Sequence, residues 1–168
     1  MTIDVSGILK ELGGRIEVNG EVEVGEFEFS GERYSLEAPL KVSGSISNNG
    51  KALVLTADVE AELCTRCARC LDEIIVDAGF SMEESFAQSE SKIPEDDEII
   101  VFDGYTIELD DIIEDNLIMN IEGRYLCDED CKGLCPQCGA NLNDGECGCN
   151  REFIDPRWSG LADLMNNE

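Results

Sequence analysis

Residues 39–63 read PLKVSGSISNNGKALVLTADVEAEL. Two apolar-rich runs flank NNGK, where Asn49-Gly50 would supply the positive-φ residues of a tight hairpin turn. That hairpin sets the expectation for its surroundings. Upstream, RIEVNGEVEV (15–24) and EFEFS (26–30) alternate apolar with mostly acidic residues, the pattern of strands with one wet face. Downstream, EIIVDAGFSMEESF (73–86) alternates again, and IIVF (99–102) reads as a brief strand.

Helical spacing is rarer. Ile3, Ile8, Leu9 and Leu12, followed by Gly13-Gly14, predict a short N-terminal helix. LDDIIEDNLIMNI (109–121) puts Leu109, Ile112, Ile113, Leu117 and Ile121 on one face, with Asp110 or Asp111 as cap and dipole partner. In IDPRWSGLADLM (154–165), Asp155 would cap a helix, Pro156 would open it, and Trp158, Leu161 and Leu164 or Met165 would form its apolar stripe. Residues 87–98 are polar with one proline and read as an exposed, mobile loop. The expected fold is α+β: an antiparallel β-rich body over 1–125 with one amphipathic helix and an acidic middle, a cysteine-rich zinc-knuckle region over 126–154, and a short docking helix over 155–168.

A chain of 168 residues can bury a core without covalent staples. It has no apolar run near the ~20 residues needed to span a bilayer. The N-terminal residues MTIDVSGILKELGG lack the apolar stretch of a secretory leader, so a cytoplasmic location with reduced thiols is expected. There is no histidine, which removes Cys–His and Ser–His chemistry. The net charge is −26, and between Asp72 and Glu122 a single lysine, Lys92, faces 17 acidic residues. Such a field repels phosphates and attracts a basic partner. A merely solubilising surface has the same composition.

The nine cysteines fall into Cys67-x2-Cys70, Cys127-x3-Cys131, Cys135-x2-Cys138 and Cys147-x-Cys149, with Cys64 left over. Short Cys-x2-Cys loops let two thiolates bind one ion at ~2.3 Å while backbone amides point back at the sulfurs. CPQCG (135–139) is the strongest such signal: proline preforms the turn, and glycine lets the chain fold over the sulfur. Cys135, Cys138, Cys147 and Cys149 form a plausible closed four-thiolate site. Cys67, Cys70, Cys127 and Cys131 would form a second. Zn2+ at two structural sites is the favoured reading; four thiolates leave no open position for catalysis. Iron or an iron–sulfur cluster also accepts four thiolates. Disulfides are disfavoured by the odd count and the reducing location, and redox thiols by the lack of a βαβ setting around Cys67-x2-Cys70.

CARCLDEI (67–74) after a β-region, the acidic middle, DCKGLCPQCGANLNDGECGC (130–149) and the closing IDPRW (154–158) together resemble the YceD family, the large ribosomal RNA subunit accumulation proteins. Positions matching the family pattern are Cys67, Arg69, Cys70, Leu71, Cys131 through Cys138, Asn141, Leu142, Asn143, Cys147, Cys149, Asp155, Pro156 and Arg157. The resemblance implies a non-enzymatic bacterial or plastid protein supporting 23S rRNA accumulation or processing and large-subunit assembly. Cys64 departs from the pattern and leaves the ligand choice beside it open. NIEGRYLC (120–127) stands where a proline-rich lead into Cys127 is expected.

Three functions follow. A ribosome-biogenesis factor would bind a basic ribosomal protein or assembly factor through its acidic face. A direct RNA-binding protein would use basic residues near the cysteines, chiefly Arg66, Arg69 and Arg157, with Arg124, Lys132 and Arg151 nearby; the blander reading is that these offset thiolate charge. An enzyme is disfavoured, because no acid/base pair stands out among the carboxylates, and neither a membrane nor a small-molecule substrate is expected.

Overall fold

The computed structural model describes residues 1–89 and 99–149. The expected terminal helix with Asp155, Pro156 and Trp158, the basic residues Arg151 and Arg157, and residues 90–98 of the acidic loop lie outside the described residues. The chain divides into two compact units: Met1–Arg66 with Glu73–Tyr125, and Cys67–Asp72 with the residues from Leu126 onward.

The first unit is strand-rich. In chain order its strands are β1 (Thr2–Asp4), β2 (Arg15–Val22), β3 (Phe27–Phe29), β4 (Glu32–Leu36), β5 (Leu40–Asn48) and β6 (Leu53–Glu60). After these come β7 (Glu62–Arg66), β8 (Glu73–Asp77), β9 (Phe80–Gln88), β10 (Ile99–Phe102) and β11 (Thr106–Glu108). One helix, α1 (Asp110–Asn120), completes it. The sheets run β10-β9-β6-β5-β2, β3-β4-β7-β8 and β1-β11. All pairings are antiparallel except β9 with β10, which is parallel.

Alternation decides which face of the five-stranded sheet is dry. Val18 and Val22, Leu40, Val42 and Ile46, Leu53, Leu55 and Val59, and Met82 and Phe86 are buried together with Ile113 and Leu117 of α1. Each such side chain contributes about 1.5–3 kcal/mol on full burial. Glu84 also faces inward, where the Asn116 side-chain amide donates to it at 2.8 Å. The register places Glu17, Ser45, Thr56 and Glu83 across the opposite face, and beside them Glu21, Lys41 and Glu60. That face carries carboxylates and hydroxyls around one lysine, whose ammonium lies 3.9 Å from Glu60.

Several expectations need correction. No N-terminal helix forms: β1 pairs with β11, Ile3 opposite Ile107, and the Asp4 carboxylate accepts the Ser6 amide at 2.8 Å. That local turn competes with a helix start. In the hairpin, only Gly50 has positive φ, at 85°; Asn49 instead accepts the Lys51 and Ala52 amides at 2.8 Å with its side chain. Residues 73–86 are two strands in different sheets, separated where Gly79 N–H donates to Asp77. Ala87 and Gln88 close β9, with Ala87 buried, so the polar stretch starts later than expected. Asp110 and Asp111 lie inside the first turn of α1 as dipole partners, while Leu109 occupies the cap position without a side-chain cap bond.

The described residues of the second unit have little regular structure. Among its described residues the only β-pairing is the isolated bridge between Leu134 and Asn141, and something other than a sheet must hold it.

Candidate metal centres

Two turns of the same design sit in the second unit. In Cys67–Asp72, the Cys67 amide donates to Asp72 O and the Leu71 amide to Cys67 O, each at 2.9 Å. In Cys135–Ala140, the Cys135 amide donates to Ala140 O and the Gly139 amide to Cys135 O, each at 2.8 Å. Both loops thus close over their first sulfur. The residue after the second cysteine is left-handed in each: Leu71 at φ 64° and Gly139 at φ 72°.

Each turn meets a second cysteine pair. The sulfurs of Cys67, Cys70, Cys127 and Cys131 lie within 4.8 Å of one another, and so do those of Cys135, Cys138, Cys147 and Cys149. Sulfurs at ~2.3 Å from a tetrahedral ion stand about 3.8 Å apart. The Cys67–Cys131 and Cys70–Cys127 separations are 3.8 Å and 3.6 Å. A disulfide would need ~2.05 Å; all nine cysteines are free.

The thiols of each cluster differ in their electrostatics. Burial raises the Cys67 thiol, but the amides of Cys70, Cys127 and Arg69 outweigh it and bring the group down to about 6. The Cys138 and Gln137 amides bring Cys135 down to about 6. In the same clusters, Cys149 is pushed up to about 12 by the neighbouring Cys138 and Cys147 sulfurs, and Cys131 above all raises Cys127. In each cluster one thiol is thus held down and another pushed up. A cation with soft-ligand preference would hold all four as thiolates, so the donor sets fit Zn2+ or another thiophilic ion.

The eight cysteines expected as ligands are thus brought together as two groups of four. Cys64 is not with them: it lies in β7, and its thiol donates to Glu37 at 3.3 Å. Arg69, a candidate RNA contact, donates through Nη1 to the carbonyls of Glu129 and Cys131, each at 2.9 Å, and so ties the first knuckle to the Cys127–Cys131 turn. Arg66 lies 4.0 Å from Glu73.

In the sequence, Asn141 and Asn143 stood out only as positions matching the family pattern, with no role attached. Asn143 Nδ2 donates to Cys131 Sγ at 3.3 Å, and its Oδ1 accepts the Lys132 amide at 2.8 Å. Asn141 Nδ2 donates to Asp72 at 2.8 Å, and its Oδ1 accepts the Asn143 amide at 3.0 Å. The available signal was two amide side chains two residues apart between cysteine pairs.

No solved structure matches the chain significantly. The uncharacterized protein Rv2926c of Mycobacterium tuberculosis is 30% identical to it over 178 residues, spanning 100% of this chain and 83% of that protein. A chloroplastic large ribosomal RNA subunit accumulation protein YCED homolog 1 from Arabidopsis thaliana is 26% identical, covering 75% of this chain and 48% of the homolog. YlbN of Bacillus subtilis, also uncharacterized, is 23% identical over 78% of this chain and 77% of its own length. The model of the family described as large ribosomal RNA subunit accumulation protein YceD matches residues 55–165. That span takes in both cysteine clusters and most of the chain: the protein belongs to the YceD family.

Proposed function

We propose that this protein is a non-catalytic, cytoplasmic factor in large-subunit assembly, supporting 23S rRNA accumulation by binding a basic ribosomal protein or assembly factor. Two structural zinc ions would hold its cysteine unit, one on Cys67, Cys70, Cys127 and Cys131 and one on Cys135, Cys138, Cys147 and Cys149. When bound, each ion supplies charge neutralisation and a fixed crosslink, and no coordination position remains for a substrate. Among the described residues, no helix is long and apolar enough to cross a membrane.

The partner assignment rests on charge. At −26 overall, with carboxylates across the wet face of the five-stranded sheet, the field accelerates encounter with a lysine-rich surface and opposes RNA. Arg69 is engaged internally, which weakens the case for it as an RNA contact.

Crosslinking in cells, with protein and RNA partners counted separately, tests this reading. Recovery of a basic ribosomal protein or assembly factor, lost from pull-downs as salt rises, is expected. Abundant crosslinks to 23S rRNA through Arg66, Arg69 or Arg157 without a protein partner would reverse the assignment.

A further inference from the structure

We infer that the segment Asn141-Leu142-Asn143 couples the two cysteine sites, so that metal at Cys135/Cys138/Cys147/Cys149 raises the affinity of Cys67/Cys70/Cys127/Cys131. The inference rests on the metal reading above and adds a linkage that two independent crosslinks would lack.

The segment runs between Cys138 and Cys147, so both of its ends are tied to ligands of the second site. Its side chains, however, serve the first. Asn143 donates to the sulfur of Cys131, a first-site ligand, at 3.3 Å. Asn141 holds the carboxylate of Asp72, two residues beyond the first-site ligand Cys70, at 2.8 Å. The backbone reinforces the link: Leu142 N–H donates to Gly133 O at 2.9 Å, and Leu142 is buried. Gly133 in turn lies against the first knuckle, where an added Cβ would come within 3.0 Å of Arg69 O. The route from one site to the other is a continuous set of hydrogen bonds and packed atoms.

The energetic consequence follows from the loop's poverty in other anchors. Among the described residues it joins no strand beyond the Leu134–Asn141 bridge. With the second site empty, Cys138 and Cys147 no longer fix the two ends of the segment. Asn143 must then be ordered at the cost of conformational entropy before it can meet Cys131. Metal at the second site orders the segment in advance, and by reciprocity metal at the first site favours the second by the same factor. Partners of metal ligands are commonly worth 10–100-fold in affinity, so a coupling of about tenfold is expected.

The test uses the reduced full-length protein and zinc competed against a chromophoric chelator. Cys147→Ser with Cys149→Ser disables the second site. First-site affinity should then fall about tenfold. Asn143→Ala should lower it similarly when the second site is filled, and should make it insensitive to the two serine substitutions. An asparagine that merely stabilised the fold would lower the affinity equally with the second site filled or disabled. Asn141→Ala, which touches no sulfur, should reduce the coupling in the same direction. Native mass spectrometry of the unmodified protein and of Asn143→Ala gives a second measurement: at half saturation the one-zinc share should be larger in Asn143→Ala, where the coupling is lost. A one-zinc share unchanged by Asn143→Ala, or a first-site affinity indifferent to the second site, overturns the coupling alone. A protein that takes up no metal overturns both the coupling and the metal reading beneath it.

Discussion

The two Cys-x2-Cys turns share a hydrogen-bond pattern but not a sequence, and the contrast separates what the sulfurs require from what each site adds. In both, the amides two and three residues after the first cysteine lower that cysteine's thiol. In both, the next residue after the second cysteine is left-handed. The later turn meets this demand with Pro136 and Gly139. The earlier one places Leu71 in a conformation that costs a side-chain-bearing residue about 1–2 kcal/mol. It is also braced from outside, by Arg69 on two carbonyls and by Asn141 on Asp72. The later turn is preorganised in part by Pro136 and Gly139; the earlier lacks both and depends on contacts made by the rest of its unit.

The largest effect should come from removing ligands. Structural zinc is worth about 10–16 kcal/mol in small zinc-finger peptides, and that energy is folding energy. Cys138→Ser is expected to abolish amide-exchange protection in residues 135–149 and to lower it in the Cys127–Cys131 turn, while the strands of the first unit, with their separate apolar core, keep theirs. Cys70→Ser should expose the Cys67–Asp72 turn but leave Cys135–Ala140 partly ordered. Equal loss in both variants would show that the preorganisation assigned to the later turn is wrong, and persistent protection in Cys138→Ser would show that metal does not hold the unit.

Legibility in the sequence follows the same line. CPQCG announces its turn through residues whose backbone preferences match it, so the second cluster could be assembled from spacing alone. The first was reached by pairing the remaining cysteines; nothing local shows that Cys67 meets Cys131 across a sequence gap of 64 residues. Strands with a dry face, such as β6, were plain from alternation, whereas β1 was read as a helix because its partner β11 is about a hundred residues away. Sheet membership is likewise nonlocal, and so residues 73–86 seemed one strand. Asn141 and Asn143 were named as matching positions, but their roles were not legible because asparagine among glycines is equally suited to a turn.

Smaller effects sharpen the comparison through glycine. Gly133→Ala places a methyl group against Arg69 O at a residue with φ 69°. Strain and crowding together should cost about 2 kcal/mol, concentrated at the first site. Gly139→Ala meets no atom of the described residues within 4 Å, so the left-handed backbone is what opposes it, at about 1 kcal/mol. Metal competition would read that as a roughly fivefold weaker second site. If Gly139→Ala proved as damaging as Gly133→Ala, local space and not backbone conformation would be limiting at the later turn.

The smallest predicted change has the opposite sign. Leu71→Gly gives the earlier turn the glycine already present in the later one. Leu71 is 57% exposed, so its truncation forfeits little burial. Relief of the left-handed strain returns about 1–2 kcal/mol. Against this, glycine loosens the unfolded chain, which offsets about 0.4–1 kcal/mol. The balance is a gain of about 0–1.5 kcal/mol, or up to about tenfold tighter metal binding at the first site. The measurement is the same chelator competition on the reduced protein, with Gly139→Ala as the reference of known direction. A clear loss of affinity in Leu71→Gly would mean that the leucine side chain itself braces the earlier turn, and that the two turns differ in packing more than in backbone strain.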